Sequence, residues 1–600
     1  MKNEIKETRL TTDVLVIGGG IAGMFCAIKA RQQGADVILL DKNYVGRSGG
    51  THYAEGDIQF FRPKTRGHVL KDWVDKLSKD NEYLNDRKWH ETILEESEDR
   101  YNDLLEWGIK FYEVNGELMV DGPHRFNPIP RMYEIISMRN REYAPSLRAK
   151  CLQDGIRVYD RIMTCELLKQ DGRVVGAMGF HTTTGKLYTI IAKATVMCTG
   201  PGTAYKVRAM NTDYWTGDGI LMAYRAGAEI SGMEFRQSTG GTMKTVYEAR
   251  KKTYPGGGPD GQKLLEMTAE YPYCTIQSGW FWPQITHTNE PVKWWGAGEI
   301  HEGKGPVYCD FDNMDEKLRE HHEEYFVRVG DAEPAKIGFD VFNGGKAHYP
   351  SARQELNTPI GGSGIWPVDE FCASTLPGLF AAGGGCATRV SGAKYGGMGL
   401  GLNAGMVTGT HAAKGVIEYL KNAPDIVPDE GVIEKVREVV TASAVRDSGH
   451  DPAWLTQILQ HTLVPYYVSI YKHQDRMALV LPMIQYMKDS IAPNLWAKDP
   501  HGWKLCYETK NMIENAELYL KASMFRTESR GSHFREDYPE RNDKDWLCWV
   551  KMRLEAGQDI YTKVPVPDSY KPDYSKPIDE IYPMTLPDVV EVHAPKLYEQ

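Results

Sequence analysis

Three glycines and one acid carry the first chemical signal in this chain. Gly18, Gly20 and Gly23 stand in the spacing G-x-G-x-x-G, and Asp41 follows Gly23 by 18 residues. Gly18 permits a tight turn, Gly20 lets a pyrophosphate approach the backbone, and Gly23 lets a following helix lie close to a sheet. An acid about 20 residues further on is placed for a ribose hydroxyl. The same carboxylate would repel the extra phosphate of NADP. The chemistry these residues suit is dinucleotide binding.

The elements needed to position them are visible in the surrounding pattern. Val14–Ile17 is an apolar run after a polar lead-in, as a buried parallel strand requires. The segment after Gly20 reads as a helix, whose N-terminus turns free N–H groups and a partial positive charge towards phosphate. Val37–Leu40 is a second apolar run ending at Asp41. Further along, the spacing predicts helices over 70–107, a β segment around 111–119 and a helix over 144–151. Two strands are predicted at GRVVGAMGF and LYTIIAKATVMCTG, the second running into Cys198-Thr199-Gly200. LPGLFAAGGGCATRVSGAKYGGMGLGLNAG repeats the order strand, glycine loop, helix. Helical periodicity then dominates 431–525, and the proline-dense stretch 563–600 reads as an extended arm.

Bulk properties bound the function. With 41% hydrophobic and 25% charged residues over 600 positions, the chain can build a large soluble core. A net charge of −10 gives no electrostatic support to nucleic-acid or anionic-membrane binding. No apolar run reaches the roughly 18 residues of a membrane span, and the polar N-terminus lacks a signal core, so a cytoplasmic location is expected. The 10 cysteines include no C-x-x-C pair, so no zinc or iron–sulfur spacing is present. No metal is expected, and a second redox centre is expected on a partner.

Four separated segments then match one family: VIGGGIAG (16–23), DGRVVGAMGF with the CTG turn (171–200), TLPGLFAAGG (375–384) and TESRGSHFREDYPERNDKDW (527–546). The chain resembles, over essentially its whole length, the flavoprotein subunits of succinate dehydrogenase and fumarate reductase, a family that includes L-aspartate oxidase and the adenylylsulfate reductase α subunit. The resemblance implies an α/β fold. Its Rossmann-like FAD-binding domain (1–235 and 351–430) is interrupted by an α+β capping domain (236–350) and followed by a helical C-terminal domain (431–545) and an extended arm (546–600). It implies FAD, with substrate held beside flavin N5 and electrons exchanged with an iron–sulfur subunit. The cofactor-binding set it implies is Gly18, Gly20, Gly23, Asp41, Lys42, Ser48, Gly49, Gly50, Thr199, Gly200, Asp218, Gly383, Gly384, Gly399 and Leu400.

Departures from the family narrow the substrate. Where dicarboxylate-active members read M-E-F-x-Q-F-H-P-T, this chain reads Met233-Glu234-Phe235-Arg236-Gln237-Ser238-Thr239-Gly240, without the histidine. No R-G-E-G-G stretch occurs between 240 and 300. Asn357 falls where a second histidine stands, and Gly392-Ala393-Lys394-Tyr395-Gly396-Gly397 replaces the arginine-bearing G-A-N-R-L-G-G. Each lost charge-assisted bond costs roughly 1.5–3 kcal/mol, so succinate and fumarate are poor candidates. Arg47-Ser48-Gly49-Gly50 replaces the R-S-H-T of covalent members, implying noncovalent FAD, with His52 as the alternative attachment point. Gly384 stands where the family has an acid on the ribityl chain.

The chemistry then falls to other residues. Arg353 is a candidate proton donor or anion clamp, or a solvated surface residue. Tyr395 is placed to move a proton, Lys394 to neutralise reduced flavin or bind a polar substrate group, and Asn357 to donate to a carbonyl oxygen or simply to form a turn. His348 is a weaker candidate. Trp280, Trp282, Trp294 and Trp295 form either a stacking wall over the flavin or the core of the capping domain. Arg530, His533 and Arg535 are expected to tie the helical domain to the FAD domain. The expected reaction is hydride transfer between flavin and a carbon of an activated C=C or its saturated partner. The rivals are adenylylsulfate-reductase-like chemistry, an aspartate-oxidase-like oxidase, and a non-catalytic electron-transfer subunit.

Overall fold

The computed structural model describes residues 5–54, 56–114, 116–120, 134–139, 142–202, 215–235, 237–239, 355–357, 363–393, 399–463, 465–469 and 471–582. The apolar run after Asp13 ends the strand Glu7–Ile17, and its last four residues are buried on both faces. That strand pairs in parallel with Val37–Leu40 on one side and Leu187–Met197 on the other. The full order is Arg157–Tyr159, Val37–Leu40, Glu7–Ile17, Leu187–Met197, Arg173–His181, Ile162–Gln170, with Leu379–Ala381 joining the C-terminal end of Leu187–Met197 in parallel. A parallel sheet with an antiparallel meander on one side results. The parallel strands bring the loops that follow their C-terminal ends to one edge.

The helix Ile21–Gln32 packs against the long helix Leu400–Leu420. Glycine within the long helix permits the close approach: a Cβ at Gly405 would lie 2.7 Å from Ile21 Cγ2. Glycine at such a site costs about 1 kcal/mol of helix propensity, which tertiary packing must offset.

A second core joins the meander to the C-terminal helices Glu430–Val445, Pro452–Leu463, Gln474–Tyr486 and Pro500–Phe525. Phe180 of the meander stacks on Trp503 with ring centroids 3.7 Å apart and planes 2° from parallel. The short strands Gln237–Thr239 and Glu355–Asn357 pair antiparallel, so the chain leaves and re-enters the described body side by side.

Two expectations about elements change. The strand Ile162–Gln170 was not foreseen. The extended arm expected from 546 instead begins with a hairpin, Cys548–Glu555 paired to Gln558–Pro565, which joins Ile230–Ser231 and Gly364–Ile365 in a four-stranded sheet. Its turn is Ala556-Gly557, with φ of 49° and 79°, the left-handed pair that matches strand twist.

Candidate functional site

The glycine loops meet at the C-terminal edge of the parallel strands. Gly18 has φ 111°, and a Cβ there would overlap the carbonyl oxygen of Cys198. A Cβ at Gly23 would overlap the carbonyl oxygen of Gly18. These contacts bring the start of helix Ile21–Gln32 against the Cys198–Gly200 turn. The third loop, Gly383–Gly385, closes on the same place: a Cβ at Gly385 would lie 3.2 Å from Gly200 O. Gly399, with φ 80°, precedes helix Leu400–Leu420 and lets it start 2.6 Å, measured from an added Cβ, from Gln59 N. Leu400 itself is fully buried, so its side chain belongs to the core and only its backbone faces the helix mouth. Glycine at these loops lets backbone lie against backbone, and the free N–H groups at the mouth of helix Ile21–Gln32, whose first turn carries no acid, fit an extended diphosphate-bearing cofactor such as FAD.

Asp41 is aimed by protein donors. Its Oδ2 accepts from Gly19 N at 2.9 Å, and its Oδ1 from Asn43 N at 2.7 Å and Ser48 Oγ at 2.9 Å. The acid is thereby fixed over the glycine loop, and Ser48 serves it through that bond. Thr51, which sequence reasoning passed over, accepts from Ile21 N at 2.9 Å and so caps the first turn of the helix. Its signal was a hydroxyl residue inside a glycine-rich segment after the second strand.

The Lys42 and Asp218 side chains pair with each other at this edge. Lys42 Nζ donates to Asp218 Oδ2 at 2.7 Å, Thr216 Oγ1 at 2.8 Å and Glu508 Oε1 at 3.0 Å. Asp218 Oδ1 also accepts from Thr216 Oγ1 and Asn511 Nδ2, both at 2.7 Å. Burial pulls the lysine pKa down, but Asp218 and Glu508 outweigh it and the group is held charged. The two residues satisfy each other and lock the nucleotide domain to helix Pro500–Phe525.

Gly50 and Gly200 also have a structural occupant. A Cβ at Gly50 would overlap Trp215 Cζ2 and lie 3.0 Å from Cη2, and one at Gly200 would lie 3.1 Å from Trp215 Nε1. Gly49, with φ 74°, opens on space with nothing within 4 Å of an added Cβ. Thr199 Oγ1 packs against Gly219 at the start of helix Asp218–Ala226. At Gly384 an added Cβ would lie 2.7 Å from Pro201 Cδ, so the place of the family's acid is taken by the proline ring. Gly383 likewise abuts Ala22 at 2.7 Å.

Arg353, Lys394, Tyr395, His348 and the four tryptophans at 280, 282, 294 and 295 lie outside the described residues. Of the expected catalytic set only Asn357 is placed, opposite Gln237 on the two-stranded ribbon. The root of the loop bearing Lys394 is described: Ala393 N donates to Asn81 O at 3.2 Å, and Ser532 N and Oγ both donate to Ala393 O at 3.0 Å.

Beside this root lies a buried ionic network. Glu528 Oε1 accepts from Arg526 Nη1 at 2.7 Å and Arg530 Nε at 2.9 Å, and Arg526 Nε donates to Glu234 Oε1 at 2.9 Å. Arg530, Arg526 and Glu528 are at most 1% exposed. Lys472 Nζ donates to His533 Nδ1 at 2.7 Å. Burial, and then Lys472, hold the His533 pKa well below the ordinary imidazole range. Arg535 forms an ion pair with Asp537 at 2.5 Å. Glu82, in the left-handed region at φ 52°, accepts from Gly531 N at 3.1 Å and Arg541 Nη2 at 2.9 Å. Arg530 Nη1 donates to Glu82 O at 3.3 Å and so ties the helical domain to the nucleotide domain, as expected, whereas His533 and Arg535 make their hydrogen bonds within the helical domain, to Lys472 and Arg526 and to Asp537, Ser523 and Gln474.

Comparison with known proteins agrees with this geometry. Residues 13–239 match the FAD binding domain family, and residues 457–572 the fumarate reductase flavoprotein C-terminal family. An uncharacterised FAD-dependent oxidoreductase of Methanocaldococcus jannaschii is 27% identical, covering 89% of this chain and 95% of that protein. One subunit of the fumarate reductase (CoM/CoB) of Methanothermobacter marburgensis is 27% identical over 90% of this chain and 96% of its own length. The adenylylsulfate reductase of Archaeoglobus fulgidus superposes with a TM-score of 0.73 at 21% identity, covering 95% of this chain and 98% of that one.

Proposed function

The chain belongs to the fumarate reductase and succinate dehydrogenase flavoprotein family and is an FAD-dependent oxidoreductase, and from that premise we propose that it moves a hydride between flavin N5 and a carbon of an activated alkene or its saturated partner. The substrate is less charged than a C4 dicarboxylate. The observation that carries this is the set of replacements at the family's carboxylate-binding positions: Ser238 to Gly240 for the histidine segment, Asn357 for the second histidine, and Lys394-Tyr395 in the glycine loop.

FAD supplies the two-electron acceptor and donor. The chain's own residues bind and orient it through Gly18–Gly23, the Asp41 carboxylate, and the backbones of Gly49, Gly383 and Leu400. Tyr395 moves the proton that accompanies the hydride, with Arg353 as donor or anion clamp. Lys394 offsets negative charge, and Asn357 donates to a substrate carbonyl oxygen. Residues 236–350 act as a capping domain over the substrate, a reading supported by the ribbon that brings 237–239 beside 355–357. FAD is held noncovalently, because the family's attachment histidine is replaced at Gly49. Electrons pass to or from an iron–sulfur partner.

The test is anaerobic titration of the purified protein with enoates, enones and aromatic hydroxy compounds while flavin absorbance is followed. One class is expected to bleach or reoxidise the flavin, with succinate and fumarate at least tenfold weaker, about 1.4 kcal/mol. Tyr395→Phe and Arg353→Ala are expected to lower turnover by about 10²-fold or more, the usual loss of a positioned proton donor. Wild-type turnover in both variants would remove these residues from the site. Reoxidation by air within one turnover would instead mark an oxidase.

A further inference from the structure

Trp215 is buried, with 8% of its surface exposed, yet it belongs neither to the apolar core around the main sheet nor to the core under the helical domain. Its ring bridges two loops. The Cη2 edge sits 3.0 Å from the Cβ position of Gly50, and Nε1 sits 3.1 Å from that of Gly200. Those loops follow the strands Val37–Leu40 and Leu187–Met197, which flank the first strand. In a parallel sheet this carboxyl edge is where a ligand enters, at the mouth of the first helix.

The indole is also held in place from behind. Thr216, its neighbour, bridges Gly202 antiparallel, and its hydroxyl receives Lys42 Nζ at 2.8 Å. Lys42 and Asp218 in turn reach helix Pro500–Phe525. A loop-borne tryptophan with its backbone pinned on one side and its ring spanning two glycine turns is a rigid, flat wall. Both ends of FAD are flat π systems, and its middle is polar. An indole offers a π face to the one and an N–H to the other.

We infer that Trp215 is a contact residue of bound FAD, forming the side wall of the cradle between the Gly49–Gly50 and Thr199–Gly200 loops. The inference stands on FAD binding and is independent of the substrate proposed above. A ring there also accounts for glycine at both 50 and 200, since any side chain at either would displace it.

The test uses full-length protein stripped of FAD by dialysis against high salt and then titrated with FAD. Tryptophan emission, flavin emission and the dissociation constant are read together. Trp454→Phe, a half-exposed position on helix Pro452–Leu463, is the control. FAD is expected to quench tryptophan emission in the wild type and in the control. Trp215→Phe should lose a distinct part of that quenching while keeping near-native affinity. Trp215→Ala should bind FAD about tenfold more weakly, the scale of one aromatic contact. Undiminished quenching in Trp215→Phe overturns the inference, whatever the affinity of the alanine variant. If Trp215→Ala fails to fold, the quenching amplitude of Trp215→Phe decides alone.

Discussion

His90 shows how one side chain sets a pH limit on the cradle. It is fully buried, its Nε2–H donating to Val390 O at 2.7 Å and its Nδ1 accepting from Asn85 Nδ2 at 3.0 Å. It thereby ties the Asn81–Asp86 turn to the loop that follows Gly383–Gly385. Burial brings its pKa down to about 4, with smaller opposing contributions from Val390 and Asp86. The unfolded chain therefore binds a proton here at higher pH than the folded one. The stabilisation is complete above the ordinary value near 6.5 and is lost as pH falls towards 4. Between about pH 7 and about pH 5 the loss is on the order of 2 kcal/mol. Urea unfolding at the two pH values is expected to show that slope in the wild type and a flatter one in His90→Leu. Equal slopes would mean another group controls it. Individual residues differ in how readily their roles could be read from sequence. Gly18, Gly23 and Asp41 announce themselves because their spacing is set within one βαβ unit. Lys42 and Asp218 did not, because their pairing joins positions that only the fold brings together. Trp215 carries no spacing signal, and Thr51 only that of a hydroxyl in a glycine-rich segment.

The same contrast separates the secondary elements. The strands Glu7–Ile17 and Leu187–Met197 and the helices after 430 follow from apolar runs and helical periodicity. Ile162–Gln170 escaped because it is buried on both faces and its pairing with Arg173–His181 shifts register between Thr164 and Glu166 and again between Leu168 and Lys169, which erases alternation. In the hairpin Cys548–Pro565 the first strand alternates but the second does not, its Ala-Gly turn lacks the Asn-Gly or Asp-Gly signature, and the prolines beyond it favour an irregular reading. Between these elements, Glu528 is the electrostatic centre of the Arg526–Arg530 segment. Glu528→Gln would leave two fully buried guanidiniums short of a carboxylate, and breaking a buried pair this way costs about 3–5 kcal/mol. The thermal midpoint is expected to fall by several degrees. An exposed pair offers the comparison, since Glu555→Gln, opposite Arg553, is expected to cost less than about 1 kcal/mol. Similar losses in the two variants would show that the network adds nothing beyond surface charge.

Electron accounting belongs to the assembled chain. The 10 cysteines include no C-x-x-C pair. The eight cysteines among the described residues are all buried and unpaired, and burial raises the thiol pKa of seven of them, keeping those protonated and poor ligands. Among the described residues no group of three or more His, Cys, Asp or Glu is arranged to hold a metal ion. Among the described residues a flavin is the redox centre these features support, and under the proposed reaction the electrons it takes from substrate leave through another protein or a diffusible acceptor. Acid precipitation is expected to release about one FAD per chain into the supernatant, and anaerobic dithionite titration of the intact protein to consume about two electrons per chain. With substrate alone the flavin should reduce once and stay reduced until an acceptor is added. Uptake of clearly more than two electrons per chain would reveal a further centre within this polypeptide and remove the need for an electron-carrying partner. Flavin retained in the acid pellet would show a covalent bond, directing attention to His52, three residues past Gly49.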